Sequence, residues 1–171
     1  GGSGYWGPGA LAGTIELESV GGNAMRPFDG AIAYGSRNSV DAQGALGLKR
    51  DKGFATLSAA YGRGDGFIPI VKRSRGPVDR AAPYKQANVA LRAVVEVAPE
   101  TEAQVTANGF TDSRERGTDF SRNTSEGVDG ALRLVGRGRW GWQALAYVQT
   151  RNFTSDFAAV NAARTSVTQS L

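Results

Sequence analysis

Hydrophobic and polar positions alternate with a period of two along most of this chain, which predicts β-strands rather than helices. The alternation is clearest in segment 84–97, where every second residue from Ala87 to Val97 is apolar and the residues between them are mostly polar. Segment 102–109 repeats the pattern. The intervening Ala98-Pro99-Glu100 suits a tight turn, because proline lacks the backbone donor that a strand needs. We therefore predict a β-hairpin here.

The same pattern predicts further strands with connections of alternating length. Connections near 50–53, 98–100 and 136–139 are short, whereas those near 62–83 and 112–126 are long and polar; the connection near 36–40 is a short exception. Strands of about ten residues with short turns at one end and long loops at the other are typical of an outer-membrane β-barrel. The predicted strands are 30–37, 41–50, 53–63, 84–97, 101–112, 127–136 and 140–151.

On this interpretation one face of the strands meets lipid and the other lines the lumen. The predicted lipid-facing residues are Val89, Leu91, Val95, Val105, Leu132, Leu134, Trp142 and Val148. The predicted lumen-facing residues are Arg92, Glu96, Gln104, Arg133 and Gln143. A soluble antiparallel sandwich is the alternative, since its strands also alternate. The length of the strands and the small apolar side chains on the nonpolar face favour the barrel.

Composition restricts the chemistry of the chain. Its 171 residues include 24 glycines but no histidine and no cysteine. This excludes Ser-His-Asp and Cys-His catalytic sites, disulfides, and metal sites built on histidine or cysteine. No carboxylate motif for catalysis is found, so we predict a protein that is not an enzyme and has no cofactor and no metal. The formal net charge of +4 arises from 20 basic and 16 acidic residues, a mixed surface that does not indicate nucleic-acid binding.

The densest basic cluster lies in the long connection, in segment 72–80. One interpretation is contact with anionic lipopolysaccharide or simple solvation, and the other is capture of an anionic ligand such as a ferric chelate. We take its four cations as the candidate ligand-binding residues: Lys72, Arg73, Arg75 and Arg80.

Three motifs occur in order along the chain. In segment 4–19 a glycine-rich bend leads into an alternating strand, with Gly7, Ala10, Gly13, Ile15 and Leu17 in a G-x-x-A-x-x-G-x-I-x-I-like pattern. Segment 33–37 follows a linker, and segment 60–67 has the form Y-x-x-x-D-G-F, with Gly64 at a position where a small hydroxyl residue is usual. The motifs resemble the end of the plug domain, the first barrel strand and the end of the third barrel strand of TonB-dependent outer-membrane receptors.

This resemblance implies the organisation of the chain. Segment 1–20 would be the C-terminal end of a plug domain, 21–29 a linker, and 30–171 the N-terminal part of an all-β antiparallel transmembrane barrel, about seven strands of a larger, 22-stranded wall. The loops at 64–83 and 113–126 would then lie together on the extracellular side.

The resemblance also implies a function. The protein would lie in the bacterial outer membrane and actively import a scarce ligand, such as a siderophore or other metal chelate. Its partners would be the rest of the barrel and plug, the inner-membrane TonB complex, the ligand, and outer-membrane lipid and lipopolysaccharide, with no nucleic acid. The alternative is a small outer-membrane barrel or adhesin with a structural or host-contact role.

Overall fold

The computed structural model describes residues 25–170, and these form an all-β structure. Strands make up 68% of it, and it has no α-helix. Accordingly, no helix within residues 25–170 is long and apolar enough to cross a membrane. The predicted plug segment 1–20 and the first part of the predicted linker lie outside the described residues.

Seven strands form one antiparallel sheet in which the spatial order follows the sequence order. They are β1 (Phe28–Gly35), β2 (Ser39–Arg50), β3 (Gly53–Gly64), β4 (Tyr84–Ala98), β5 (Thr101–Glu115), β6 (Arg122–Gly136) and β7 (Trp142–Ser155). After β7 the chain forms a separate hairpin of β8 (Phe157–Val160) and β9 (Val167–Ser170). The outer edges of β1 and β7 have no partner strand within the described part of the chain.

The seven predicted strands are confirmed, but several of their ends differ from the prediction. β5 continues to Glu115 and β6 begins at Arg122, so the second long loop spans only 116–121. The predicted loop 112–126 is wrong because both faces of these strand ends are polar, which removes the alternation while the backbone pairing continues. Arg114, for example, still pairs with Asn123. In the same way, the residues after 151, where no strand is predicted, contain the end of β7 and the β8–β9 hairpin.

The register of the strands separates an apolar face from a polar face, because directly opposed residues of antiparallel strands share a face. The row through Leu91 consists of Phe28, Leu46, Leu57, Leu91, Ala107, Gly130 and Val148. The next row, through Arg92, is on the other face and consists of Gly47, Thr56, Arg92, Thr106, Ala131 and Tyr147. All eight residues predicted to face lipid lie on the apolar face, and all five predicted to face the lumen lie on the polar face.

No second layer covers the apolar face within residues 25–170. Large side chains on it are strongly exposed, including Ile32 at 79%, Val128 at 61% and Val148 at 66%. Only three hydrophobic residues of the described chain are buried: Val78, Val94 and Ala103. The two-sheet core that defines a sandwich is therefore not present in the described residues.

Candidate functional site

The strand directions collect the long connections at one end of the sheet. Segments 36–38, 65–83 and 116–121 lie at this end, which we call the loop end, together with the chain that follows Ser155. The opposite end, called the turn end, carries only 51–52, 99–100 and 137–141. Among the described connections within the sheet, only 65–83 is therefore long as predicted, because 116–121 has six residues and 137–141 at the opposite end has five.

A buried ion pair joins two of the connections at the loop end. Asp79, in the β3–β4 connection, has a side chain with 0% exposure, and its carboxylate accepts hydrogen bonds from both Nε and Nη2 of Arg164. Arg164 lies in the turn between β8 and β9, and Asp79 also accepts a hydrogen bond of 2.7 Å from the backbone of Gly76. The hydrogen bonds from Arg164 are the main cause that lowers the pKa of Asp79 to about 2. The β8–β9 hairpin is therefore held against the β3–β4 connection.

The connection between β5 and β6 joins the same assembly. Arg80 forms an ion pair of 2.8 Å with Asp119, and its backbone nitrogen donates to the carbonyl of Gly117 at 2.8 Å. Arg116 donates to the carbonyl of Asp156 and places its guanidinium 4.9 Å from the ring centre of Phe157. Three separate connections thus form one cross-linked layer at the loop end, which we call the loop cluster (65–83, 116–121 and 156–166).

The four predicted ligand-binding cations differ in their hydrogen bonds and ion pairs. Lys72 and Arg73 are exposed in a short 3₁₀ turn, and neither forms an ion pair within the described residues. Arg75 donates to the carbonyl of Ile70 at 3.0 and 3.3 Å, and the charge of Arg80 is already balanced by Asp119. The positively charged surface is therefore smaller than the sequence indicates, and its role in ligand binding stays a prediction.

The polar face near the turn end is internally paired. Arg133 of β6 donates to the side-chain oxygen of Gln143 of β7 at 2.6 Å, a diagonal contact, because the residue directly opposite Arg133 is Leu145. Gln104 donates to Glu102 at 2.6 Å, and Glu102 also accepts a bond of 3.2 Å from Arg137. These polar side chains satisfy one another, whereas Glu96 at the same end makes no side-chain hydrogen bond with a described residue.

Closer to the loop end, the polar face contains a depression of about 590 Å³. Gly62 and Ala60 of β3 are among the residues that line it. In register, Gly62 lies between Asp41 of β2 and Gln86 of β4, and Ala60 lies between Gln43 and Asn88. We call these six residues the trough: Asp41, Gln43, Ala60, Gly62, Gln86 and Asn88.

Several polar groups of the trough make no side-chain hydrogen bond with a described residue, as is also true of Glu96, Asn108 and Gln149 elsewhere on the polar face. Asp41, Gln43 and Asn88 are exposed and make no side-chain hydrogen bond with any described residue. Its neighbour Asp112 is engaged by Arg114 at 2.8 to 3.0 Å, and Arg114 also donates to the oxygen of Gln86 at 3.0 Å. The trough is therefore a place where unused hydrogen-bonding groups converge.

An aromatic side chain borders the trough. Phe110 of β5 is in register with Asn88 and lines the same depression. The guanidinium of Arg151 lies 5.0 Å from the centre of its ring and forms an ion pair of 2.9 Å with Asp129. The trough was not predicted from the sequence. The signal in the sequence was the pair of small residues Ala60 and Gly62 on the polar face of β3. This pair indicates a depression only when the register is known, because the register places polar side chains of β2 and β4 on both sides of it.

The apolar face has limits that move steadily across the sheet. We compare the strands by the residue of β4 that lies in the same row. The last apolar residue of β2 towards the loop end is Val40, which lies in the row of Lys85. The last apolar residue of β7 towards the same end is Val148, which lies in the row of Leu91. The limit thus shifts by six residues over the five steps from β2 to β7. A shift of about one residue, ~3.3 Å, per strand spacing of ~4.8 Å means that the edge of the apolar residues is inclined by ~35° to the rows of paired residues.

The limit towards the turn end moves in the same direction. On β2 it is Leu48, level with Ala93, and on β7 it is Trp142, level with Ala98. The apolar residues therefore form a band that is inclined to the rows of paired residues and spans eight residues on β2 and six on β7. We call it the apolar band.

Comparison of the chain with protein-family models, with curated proteins and with solved structures gives no match. No group of three or more histidine, cysteine, aspartate or glutamate side chains that could hold a metal ion occurs among residues 25–170.

Proposed function

We propose that this chain is part of the wall of a TonB-dependent outer-membrane receptor, which imports a scarce ligand such as a siderophore or other metal chelate. The observation that carries the proposal is the uncovered apolar band on one face of a sheet whose other face is polar. Large exposed apolar patches on proteins mark surfaces that meet a partner or a membrane. A sheet also satisfies its backbone groups between strands, as a membrane-spanning structure must.

The dimensions of the apolar band support lipid as its partner. On β4 the band runs from Ala87 to Val97, ten residues, which is ~33 Å along the strand. At an inclination of ~35° the height of the band is ~27 Å on β4, ~22 Å on β2 and ~16 Å on β7, values on either side of the ~25 Å apolar band of outer-membrane barrels. The inclination itself agrees with the ~35–45° tilt of strands in such barrels.

Strand direction supports a barrel with more strands than the described sheet. β1 and β7 both run towards the loop end, so pairing them directly would create a parallel contact. An antiparallel barrel that contains β1–β7 needs an odd number of further strands. This favours the larger receptor barrel over closure of the sheet on itself, while the number of strands and the presence of a plug stay predictions.

We expect ligand to arrive at the loop end, where the loop cluster lies. Ion pairs hold its three connections together, and Lys72 and Arg73 extend from it with unbalanced charge. Positive charge at a surface raises the local concentration of anions, whether a metal chelate or lipopolysaccharide. The expected activity is binding and gated transport, with no bond broken or made.

Cell fractionation and uptake test this proposal. The full-length gene product is expressed in a Gram-negative host, and we expect it in the outer-membrane fraction, with electrophoretic mobility that changes on heating. Accumulation of ⁵⁵Fe supplied as ferric citrate or as a hydroxamate chelate is then measured with and without a protonophore. A protein found in the soluble fraction contradicts the membrane assignment. Outer-membrane location with no energy-dependent uptake favours the alternative of a structural barrel or adhesin.

A further inference from the structure

We infer that Arg63 and Lys85, on the apolar side of the sheet, bind the phosphate monoester of an outer-leaflet lipid such as lipid A, the phosphorylated lipid portion of lipopolysaccharide. The inference rests on the proposed function, because only an apolar band that lies in lipid brings this pair to a headgroup. It deepens that function by assigning the lipid partner to named residues, and these lie outside the basic segment 72–80.

Both cations lie at the edge of the apolar band that faces the loop end. On β3 the band ends at Tyr61, and the next residue on the same face is Arg63. On β4 the band ends at Ala87, and the next residue on that face is Lys85. Each cation is therefore the first residue beyond the band on its strand, ~7 Å from the last apolar residue. When the band lies in hydrocarbon, this is the depth at which the lipid headgroups begin.

The two cations are direct neighbours across β3 and β4. Arg63 and Lys85 are paired in register, which places their Cβ atoms ~4.5–5.5 Å apart. Like charges directly opposite each other destabilise a sheet. Both side chains are exposed, and neither makes an ion pair or a side-chain hydrogen bond with any of residues 25–170. The pair therefore carries two unbalanced positive charges, which a bound anion would stabilise.

Acidic side chains around the pair do not balance its charge. In the same row, its neighbours are the uncharged Val40 of β2 and Ser113 of β5. The acids nearest to the pair in sequence or register are each engaged by another residue: Asp65 by Asn38 at 2.6 Å, Glu115 by Arg122 at 2.9 Å and Glu126 by Asn152 at 3.2 Å. None of these carboxylates forms an ion pair with Arg63 or Lys85, so an anion from outside the chain would meet two free cations.

A phosphate monoester matches two adjacent cations. It carries a charge of about −1.5 to −2 near neutral pH and has three terminal oxygens. The guanidinium of Arg63 can donate two parallel hydrogen bonds to two of these oxygens, and the ammonium of Lys85 can donate to the third. A phosphodiester, as in phosphatidylglycerol, carries a single negative charge and therefore balances only one of the two cations.

The surface next to the pair suits the hydrocarbon part of a lipid. From the pair towards the turn end, the residues that face each other across β3 and β4 are apolar: Tyr61 and Ala87, then Ala59 and Val89, then Leu57 and Leu91. Val89 is 50% exposed and Leu91 is 40% exposed, so an acyl chain can lie against them. Tyrosine is also enriched at the level of the headgroups, the position of Tyr61. A free phosphate ion would gain nothing from this surface, which favours a lipid.

The test is lipid binding to the purified full-length gene product in a neutral detergent, measured by native mass spectrometry. Lipid A is compared with the same lipid after removal of its phosphates and with phosphatidylglycerol, and inorganic phosphate is added as a competitor at the concentration of the lipid. We expect lipid A to bind most tightly and inorganic phosphate not to displace it. Arg63→Gln and Lys85→Gln should each weaken binding of lipid A about 10-fold, because each removes charge-assisted hydrogen bonds. Lys85→Arg should retain the affinity, and Lys52→Gln, in the turn between β2 and β3, should leave it unchanged.

Thermal unfolding in the same detergent gives a second measurement, which a purely structural role of the pair would not explain. Without phosphorylated lipid, Arg63→Gln and Lys85→Gln should unfold at the temperature of the wild-type protein or above it, because each substitution removes the repulsion between the two cations. With lipid A the order should reverse, since the wild-type protein gains more binding free energy than either variant.

Three outcomes would overturn the inference. The first is equal affinity for lipid A and for the dephosphorylated lipid or phosphatidylglycerol, and the second is displacement of lipid A by inorganic phosphate at equal concentration. The third is unchanged affinity for lipid A in both Arg63→Gln and Lys85→Gln. Membrane insertion is measured on the same preparations by heat-dependent mobility. A protein that inserts but does not distinguish these lipids refutes the phosphate site alone, whereas one that does not insert refutes the proposed function.

Discussion

Replacing Leu91 by arginine tests the assignment of the apolar band most directly. Leu91 lies on β4, in register with Leu57 and Ala107, and its side chain is 40% exposed on the apolar face. In water an arginine at such a position would be harmless, because it could extend into solvent. In lipid it would place a charge among hydrocarbon chains. The substitution therefore gives opposite results for the two environments.

The magnitude follows from the position of Leu91 within the band. It is four residues from Ala87 and six from Val97, or ~13 Å and ~20 Å along the strand. With an inclination of ~35°, Leu91 lies ~11 Å and ~16 Å from the two edges of the band, close to its middle. Arginine at the middle of the lipid face costs ~2–4 kcal/mol. This corresponds to a folding equilibrium about 30- to 700-fold less favourable.

The assay is denaturant unfolding of the full-length gene product in phospholipid vesicles, followed by tryptophan fluorescence. The matched control is Asn108→Arg, which is at nearly the same level as Leu91 but on the polar face, in register with Asp129. We expect the control to change the free energy of unfolding by no more than ~0.5 kcal/mol. Equal destabilisation by the two substitutions, or full tolerance of Leu91→Arg, would refute the assignment of the faces.

Three further predictions concern the loop cluster. Asp79→Asn should increase hydrogen exchange in 65–83 and around Arg164, because it weakens the hydrogen bonds that join these two segments. Asp29→Asn, which changes an exposed ion pair, is the control and should leave this exchange unchanged. Equal effects of the two substitutions would contradict the role of the buried pair. Since the pKa of Asp79 is lowered to about 2, the protection of 65–83 from hydrogen exchange should be constant from neutral pH to about 4 and should decline as pH falls towards 2. A loss of protection near pH 6 would contradict its origin in the Asp79 ion pair. Trypsin added to intact cells should cut in 72–80 and spare 137–141, and the reverse pattern would mean the opposite orientation.

The sequence by itself determined the strands and their two faces. A period of two places Leu91 and Arg92 on opposite sides of any strand that contains them, whatever the rest of the fold. Because this rule is local, seven strands and the membership of both faces could be predicted before any pairing was known. The ends of β5 and β6 could not, because beyond Thr111 the side chains are polar on both faces and the alternation disappears.

Only the tertiary structure decided which distant residues meet. Asp79 and Arg164 are 85 residues apart in sequence, and only the folding of the β8–β9 hairpin onto the β3–β4 connection makes them an ion pair. The trough likewise depends on the register of three strands, which sets Asp41, Gly62 and Gln86 in one row. Register and loop contacts are long-range, so local periodicity carries no information about them. For this reason the basic segment 72–80 was visible in the sequence, whereas the balance of Arg80 by Asp119 and the unpartnered groups of the trough were not.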